Sequence, residues 1–276
     1  MIETGDRPGS GHPEDAQSRA NDELWARPDL VKAYATRILR PVEVMLLVRY
    51  RDALSGRVLE LGCGAGRLTG YLSEIASSTH GLDISPAMVA YCRGRYPRAT
   101  FGVGDLRDVS ALEPGSFDVI VASYNVIDVL GDAERATVLA GIHRVLQPGG
   151  LLIMSSHNRA NARRRTLRDA LAARNPVGLA VSMFELPRWL VNRRRLRPFE
   201  RNEPGYAILN DVSQDFAALH YYITRDAQAR QLQDHAFELI ECLDLEGRRV
   251  EAGDAARHTS ELHYVARACP DAAATA

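Results

Sequence analysis

Lysine is almost missing from this 276-residue chain: of 34 basic residues, only Lys32 is not an arginine. The bias fits the codon usage of a GC-rich genome better than a functional demand for guanidinium groups. Cysteine is scarce as well. Cys63, Cys92, Cys242 and Cys269 stand far apart, without CxxC pairs or histidines at ligand spacing, which excludes a zinc site and a disulfide scaffold and fits a reducing cytoplasm. Neither sign of charge dominates. With 34 basic against 35 acidic residues the formal net charge is -1, so nothing electrostatic marks nucleic acid or an anionic membrane as a partner. No stretch approaches the roughly 20 apolar residues of a membrane span. The opening residues, MIETGDRPGSGHPEDAQSRAND, lack the apolar core and cleavage site of a secretory signal, and residues 1–21 are expected to be a disordered leader.

What is present is a regular alternation. From Asn21 to Ala53 apolar residues recur at helical spacing, with Pro28 and Pro41 placed to begin new helices, so two or three helices are expected as an N-terminal cap over residues 22–56. Short β-rich runs follow at Arg57 to Leu61, Ser78 to Asp83, Thr100 to Val103, Phe117 to Ser123, Leu151 to Ser156, Phe237 to Leu243 and Glu261 to Ala268. The first five are separated by segments long enough for right-handed helical crossovers, which predicts a parallel sheet covered by helices on both faces. The last two are joined by a short polar stretch and can pair antiparallel. The expected divisions are a core at 57–157, an insertion or lid at 158–223, a C-terminal part of the core at 224–268 and a tail at 269–276. Thr224 reads as the N-cap of a helix that ends the insertion.

The segment Val58-Leu59-Glu60-Leu61-Gly62-Cys63-Gly64-Ala65-Gly66-Arg67-Leu68-Thr69 runs from a hydrophobic strand into a glycine-rich turn and then a helix. Missing side chains let the backbone approach a ligand, and open helix N–H groups favour its anionic end. Asp83 ends the second strand, where a carboxylate can accept hydrogen bonds from two ribose hydroxyls. Asp105 ends the third, within reach of an adenine amino group.

In these residues the chain resembles the class I S-adenosylmethionine-dependent methyltransferases, over roughly Val58 to Ser156 and more loosely to Ala268. The glycine motif E-x-G-x-G-x-G is matched by Glu60 to Gly66, the ribose acid by Asp83, and the adenine-side Asp-Leu pair by Asp105-Leu106. Phe117 to Val121 is similar to the fourth strand, and Arg144-Val145-Leu146-Gln147-Pro148-Gly149-Gly150 to the turn into the fifth. The resemblance implies a three-layer Rossmann-like α/β fold, with a mostly parallel seven-stranded sheet and an antiparallel last strand. It also implies S-adenosylmethionine as cofactor, leaving as S-adenosylhomocysteine. Glu60, Gly62, Cys63, Gly64 and Gly66 would border its methionine end, Asp83 its ribose, Ile84 and Met88 its adenine, and Asp105 with Leu106 would close the adenine pocket. Asn125 and Val126 would lie beside the sulfonium.

On the substrate side, methyl transfer needs positioning and exclusion of water, and a general base where the acceptor is a hydroxyl or a protonated amine. His157, at the C-terminal end of the fifth strand, is the candidate base, and a histidine that only caps the strand is the plain alternative. Asn158, Tyr34, Tyr221 and Tyr222 are candidate substrate residues, with core packing the alternative for the tyrosines. Asp128 reads as the cap of the following helix, with contact to the substrate as the alternative. The twelve arginines from Arg159 to Arg201 could grip a phosphate, a carboxylate or an acidic carrier, or form a solvated face.

The expected activity is methylation of O or N on a small molecule of bacterial specialised metabolism or sugar-like character, by a cytoplasmic monomer or homodimer with no metal. A nicotinamide-dependent oxidoreductase would share strand, turn and acid, but its glycines fall as GxGxxG. Base methylation of nucleic acid is opposed by Ser123-Tyr124-Asn125-Val126, where such enzymes carry Asp/Asn-Pro-Pro-Tyr/Phe. An accessory protein that binds the cofactor without turnover is the third alternative.

Overall fold

The computed structural model describes residues 13–162, 176–211 and 213–270, apart from positions 26 and 28. Pro28, Arg163-Arg164-Arg165 and most of the expected tail lie outside the described residues. Among the described residues four helices precede the sheet rather than two or three: α1 (Pro13–Trp25), α2 (Leu30–Ala35), α3 (Pro41–Arg49) and α4 (Arg51–Leu54). Helix α1 begins inside the segment expected to be disordered. Its hold on the fold is polar: the Asn21 side chain donates to Leu219 O (2.8 Å) and Val129 O (2.5 Å) and accepts from Leu219 N (3.1 Å), while Ser18 donates to Glu134 (2.6 Å). Such side chains carry little hydropathic signal, which is why the segment looks unstructured in sequence.

The seven expected strands form the core sheet: β1 (Arg57–Leu61), β2 (Ser78–Asp83), β3 (Thr100–Val103), β4 (Phe117–Ala122), β5 (Leu146–Asn158), β9 (Phe237–Leu243) and β10 (Glu261–Ala268). Their order is β3-β2-β1-β4-β5-β10-β9, with only β10 antiparallel to its neighbours. The crossovers β1-α5-β2 and β2-α6-β3 use α5 (Thr69–Ile75) and α6 (Pro86–Arg95), and α7 (Asp132–Val145) joins β4 to β5. Successive residues of one strand serve opposite layers. Leu59, Ile120, Leu152 and Tyr264 pack with Leu139 and Ile142 of α7, whereas Val58, Val119, Ile153 and Val265 pack with Val42 and Leu46 of α3 and Leu72 of α5. Strands buried on both sides in this way read as continuous apolar runs.

The insertion adds strands that the sequence pattern did not predict. Helix α8 (Pro176–Leu196) leads to β6 (Arg201–Asn202), β7 (Tyr206–Leu209) and β8 (His220–Ile223). Strand β4 stops at Ala122, opposite Met154, and β8 then runs parallel to the end of β5, pairing His157 with Tyr222 and Asn158 with Ile223. Helix α9 (Arg225–Asp234) follows, with Thr224 Oγ1 accepting from Ala227 N at 3.3 Å. No helix among the described residues is long and apolar enough to cross a membrane.

One buried titratable group sets a pH signature. His263 of β10 is buried with Nε2 unpartnered, and burial pushes its pKa down to about 4. A depressed histidine loses stability as pH falls, because the unfolded chain binds the proton from about pH 6.5 downward while the folded chain resists it. His263→Leu should therefore gain about 2 kcal/mol relative to the parent between pH 7.5 and pH 5. Chemical denaturation at both pH values reads the difference, and parallel pH profiles would exclude this role.

Candidate functional site

Strands β1 and β4 are neighbours whose crossovers leave toward opposite edges of the sheet, so a crevice opens beyond their C-terminal ends. It is a cleft of about 350 Å³. Gly62 and Gly64, in the turn after β1, both have positive φ, +62° and +53°. A Cβ at Gly62 would collide with Val126 Cγ2, and one at Gly64 would meet nothing within 4 Å. The first glycine lets β1 and the segment after β4 close together; the second bares the backbone to the cleft. Gly66 does not line the cleft; its Cβ position is filled by the Tyr96 ring, so its role is packing.

Asp83 ties two strand ends together. Its Oδ2 accepts from Gly64 N (2.7 Å) and its Oδ1 from Ser85 N (2.9 Å). Burial raises its pKa, and the two backbone donors pull the other way. Each oxygen has further acceptor capacity, and the residue lines the cleft. Glu60, bonded to Thr69 Oγ1, is pushed up to about 7 by burial. Cys63, Ile84, Met88, Leu106, Asn125 and Val126 line the same cleft, as does Asp105. Asp105 is not free: Arg107 Nε lies 2.9 Å from its Oδ1, and the same guanidinium reaches Asp22 (2.7 Å) and Glu134 (2.9 Å). Arg107 is a cleft residue that sequence reasoning missed, because one arginine among so many carries no signal.

The N-terminal helices close one side. Trp25 and Tyr34 meet edge to face, with centroids 5.7 Å apart, and Tyr34 meets Tyr124 in the same way at 6.3 Å. Around the Tyr124 ring stand Arg37, Arg40 and Arg67, at 5.3, 4.5 and 4.8 Å, and all three line the cleft. Arg67 is paired with Glu43 (2.7 Å), Arg40 with Glu261, and Arg37 donates to the Tyr124 hydroxyl. Glu43 is held down at about 2: burial opposes its charge, and Arg67, helped by the Arg40 amide and the Ser123 hydroxyl, more than offsets that. This cationic rim was not anticipated either. Tyr124 and Asn125 both have φ of 60°, a strained pair for residues with side chains. Asn125 N donates to Ser155 Oγ (2.8 Å), while Asn125 Oδ1 and Trp25 Nε1 are buried without a partner.

At the far end of the cleft is His157, its Nδ1 2.7 Å from Asp128 Oδ2, the same oxygen that accepts from His157 N at 2.6 Å. Asp128 is fully buried and does not cap α7. Glu134 does that work by accepting from Gly131 N (3.0 Å), while Asp128 binds Arg135 Nη1 (2.7 Å) and Ser156 Oγ (2.5 Å). His220 also lines the cleft, with its ring centroid 5.4 Å from that of His157.

Three candidate substrate residues fall outside the cleft lining. Asn158 is spent on structure: its Nδ2 donates to Ala256 O (2.9 Å) and Thr259 O (3.2 Å), and its Oδ1 accepts from Ala160 N (3.0 Å). Tyr221 is buried, stacked on Tyr206 at 4.7 Å and bonded to Asp132. Tyr222 lies behind His157, ring to ring at 4.9 Å, with its hydroxyl on Asp211. Side chains alternate across a strand, so Tyr221 of β8 faces away from the side that His220 and Tyr222 share, and of those two only His220 is in the cleft lining. The described arginines of the insertion are partly engaged: Arg193 lies over the Phe216 ring at 5.2 Å, and Arg195 is 3.6 Å from Glu23.

Residues 58–150 match the family model described as "Methyltransferase domain". A probable S-adenosylmethionine-dependent methyltransferase of Mycolicibacterium smegmatis is 39% identical over 112 residues, 40% of this chain and 42% of that one. A ubiquinone biosynthesis O-methyltransferase of Xanthomonas oryzae is 27% identical over 128 residues, 45% and 52% of the two chains. The chain thus spans about half the length, or less, of these curated relatives. Among solved structures, the 1,6-didemethyltoxoflavin-N1-methyltransferase of Burkholderia thailandensis, with its substrate and S-adenosylhomocysteine bound, superposes with a TM-score of 0.59. It covers 96% of this chain and 93% of that one at 16% identity, a likeness of fold.

Proposed function

On the premise of the methyltransferase-domain match over residues 58–150, we propose that this chain is a class I S-adenosylmethionine-dependent methyltransferase that transfers a methyl group from S-adenosylmethionine to an oxygen or nitrogen of a small molecule. The observation that carries the reading is Asp83, a half-buried carboxylate at the end of β2 that accepts from the Gly64 amide and lines the cleft. The cleft residues fit the cofactor chemically. Gly64 bares backbone to open space, and Asp83 has acceptor capacity left for two adjacent hydroxyls. Asn125 Oδ1 and Trp25 Nε1 are buried polar atoms that lack a partner. Arg37, Arg40 and Arg67 suit a carboxylate, and Ile84, Met88 and Leu106 an aromatic base.

When bound, this cofactor supplies an electrophilic methyl group on a sulfonium. The chain's own share is to orient, to exclude water and to take a proton. His157 is the proposed base, a cleft residue whose Nδ1 is 2.7 Å from the Asp128 carboxylate. A small acceptor suits a cleft enclosed by α1, α2 and the insertion, and methylation in specialised metabolism is the kind of role proposed.

Calorimetry with S-adenosylhomocysteine is the direct test. One site per chain is expected, and Asp83→Ala should weaken it about 100-fold, the effect of losing two charge-assisted hydrogen bonds. Uptake of NAD instead of S-adenosylhomocysteine would move the chain to the oxidoreductases. Cofactor binding without methyl transfer to any acceptor in a broad screen would make it an accessory protein.

A further inference from the structure

His157 and His220 enter the cleft from the ends of two paired strands, β5 and β8, and each has its own carboxylate. His157 Nδ1 is 2.7 Å from Asp128, and His220 Nδ1 is 3.5 Å from Asp211. Both acids have second anchors: Arg135 and Ser156 hold Asp128, and the Tyr222 hydroxyl holds Asp211. The Tyr222 ring lies against His157, with ring centroids 4.9 Å apart, and so packs one member of the pair while its hydroxyl engages the acid of the other. The two imidazole rings are 5.4 Å apart and tilted by 49°. Both rings line the cleft and offer it two separate imidazole hydrogen-bonding points.

We propose that His220 is a specificity-determining residue, and that the acceptor carries two adjacent hydrogen-bonding heteroatoms on a ring, the one to be methylated facing His157 and its neighbour held by His220. Neighbouring ring oxygens lie about one hydrogen-bond length apart, a spacing that lets each meet its own imidazole. An acceptor with a single polar atom satisfies one histidine and leaves the other buried without a partner, and sites built in this way reject such analogues. The protonation of His220 suits the role. Burial opposes its charge, but the charge and hydrogen bond of Asp211 and the charge of Asp128 outweigh it and raise its pKa, which favours a donor. The vicinal pair of the acceptor would thus find one base and one donor.

The proposal rests on the methyltransferase reading for which atom reacts, but the binding preference can be measured apart from it. Catechol, resorcinol, hydroquinone and phenol are titrated by calorimetry onto the full chain, with and without saturating S-adenosylhomocysteine. Catechol should bind at least tenfold tighter than the other three. His220→Phe should abolish that preference while leaving S-adenosylhomocysteine affinity within twofold, and His220→Asn should restore part of it. Equal binding of the isomers by the parent protein, or no binding of any, overturns the proposal, and neither result depends on a variant folding. A catechol preference that survives in His220→Phe overturns it too. Failure of S-adenosylhomocysteine to bind, with the catechol preference intact, would instead remove the methyltransferase reading and leave the histidine pair standing.

Discussion

Asp128→Ala is expected to lower the stability of this protein by about 4 kcal/mol. Asp128 and Arg135 are both fully inaccessible to solvent and 2.7 Å apart. Among the described residues the guanidinium is otherwise met only by Gln228 Oε1 (2.7 Å), the more distant Gln231 Oε1 and the face of Tyr221, none of which is charged. Removing the acid leaves a buried cation without a counter-charge, and two more donors, Ser156 Oγ and His157 N, lose their acceptor. For a chain of this length the loss corresponds to a fall in Tm on the order of 10 °C. Urea denaturation reads it directly. The double variant Asp128→Leu, Arg135→Met should recover most of the loss, since a buried ion pair replaced whole by apolar groups is often neutral. A single variant within about 1 kcal/mol of the parent would mean that water reaches Arg135 or that the pair does not form.

The second large effect concerns turnover. His157→Ala should reduce kcat on a hydroxyl or amine acceptor by about 100-fold to 1,000-fold while changing S-adenosylhomocysteine affinity little, as expected for loss of a positioned base rather than of a binding contact. Asp128→Asn should show an intermediate defect, because the amide can still meet the imidazole but cannot stabilise its cation. Steady-state kinetics with a methyl acceptor from a screen of small hydroxylated and amino compounds checks both. Near-normal turnover in His157→Ala would return the residue to a purely structural role.

The parts legible in sequence are those where one strand carries one local signal. Residues 57–61, 78–83, 100–103, 237–243 and 261–268 read as strands because each is a short apolar or β-branched run bounded by turn residues, and the structure has strands there. The glycine turn and Asp83 were legible for the same reason, since backbone freedom and a strand-end acid are encoded in a few adjacent residues. What sequence reading missed depends on partners far along the chain. Asp128 resembles a helix cap until His157, 29 residues away, is placed on the same carboxylate. Helix α1 was invisible because Asn21 and Gln17 bond to Val129 and Leu219, contacts no hydropathy pattern registers. In β8 the aromatic residues drew attention, but the pleat turns Tyr221 into the core and gives the cleft to His220. The arginines around Tyr124 were hidden by abundance, being three among many until geometry gathered them.

The place where β8 takes over from β4 beside β5 constrains how such a protein can be re-engineered. His157 is hydrogen-bonded into a ladder on each side, one rung from the C-terminal strand and one from the insertion. The reacting end and the selecting end are therefore woven into a single fabric. Transplanting the 158–223 region from a relative would carry over a new preference only if the graft brought its own strand in the same register; a graft without one would leave the seam open and His157 adrift.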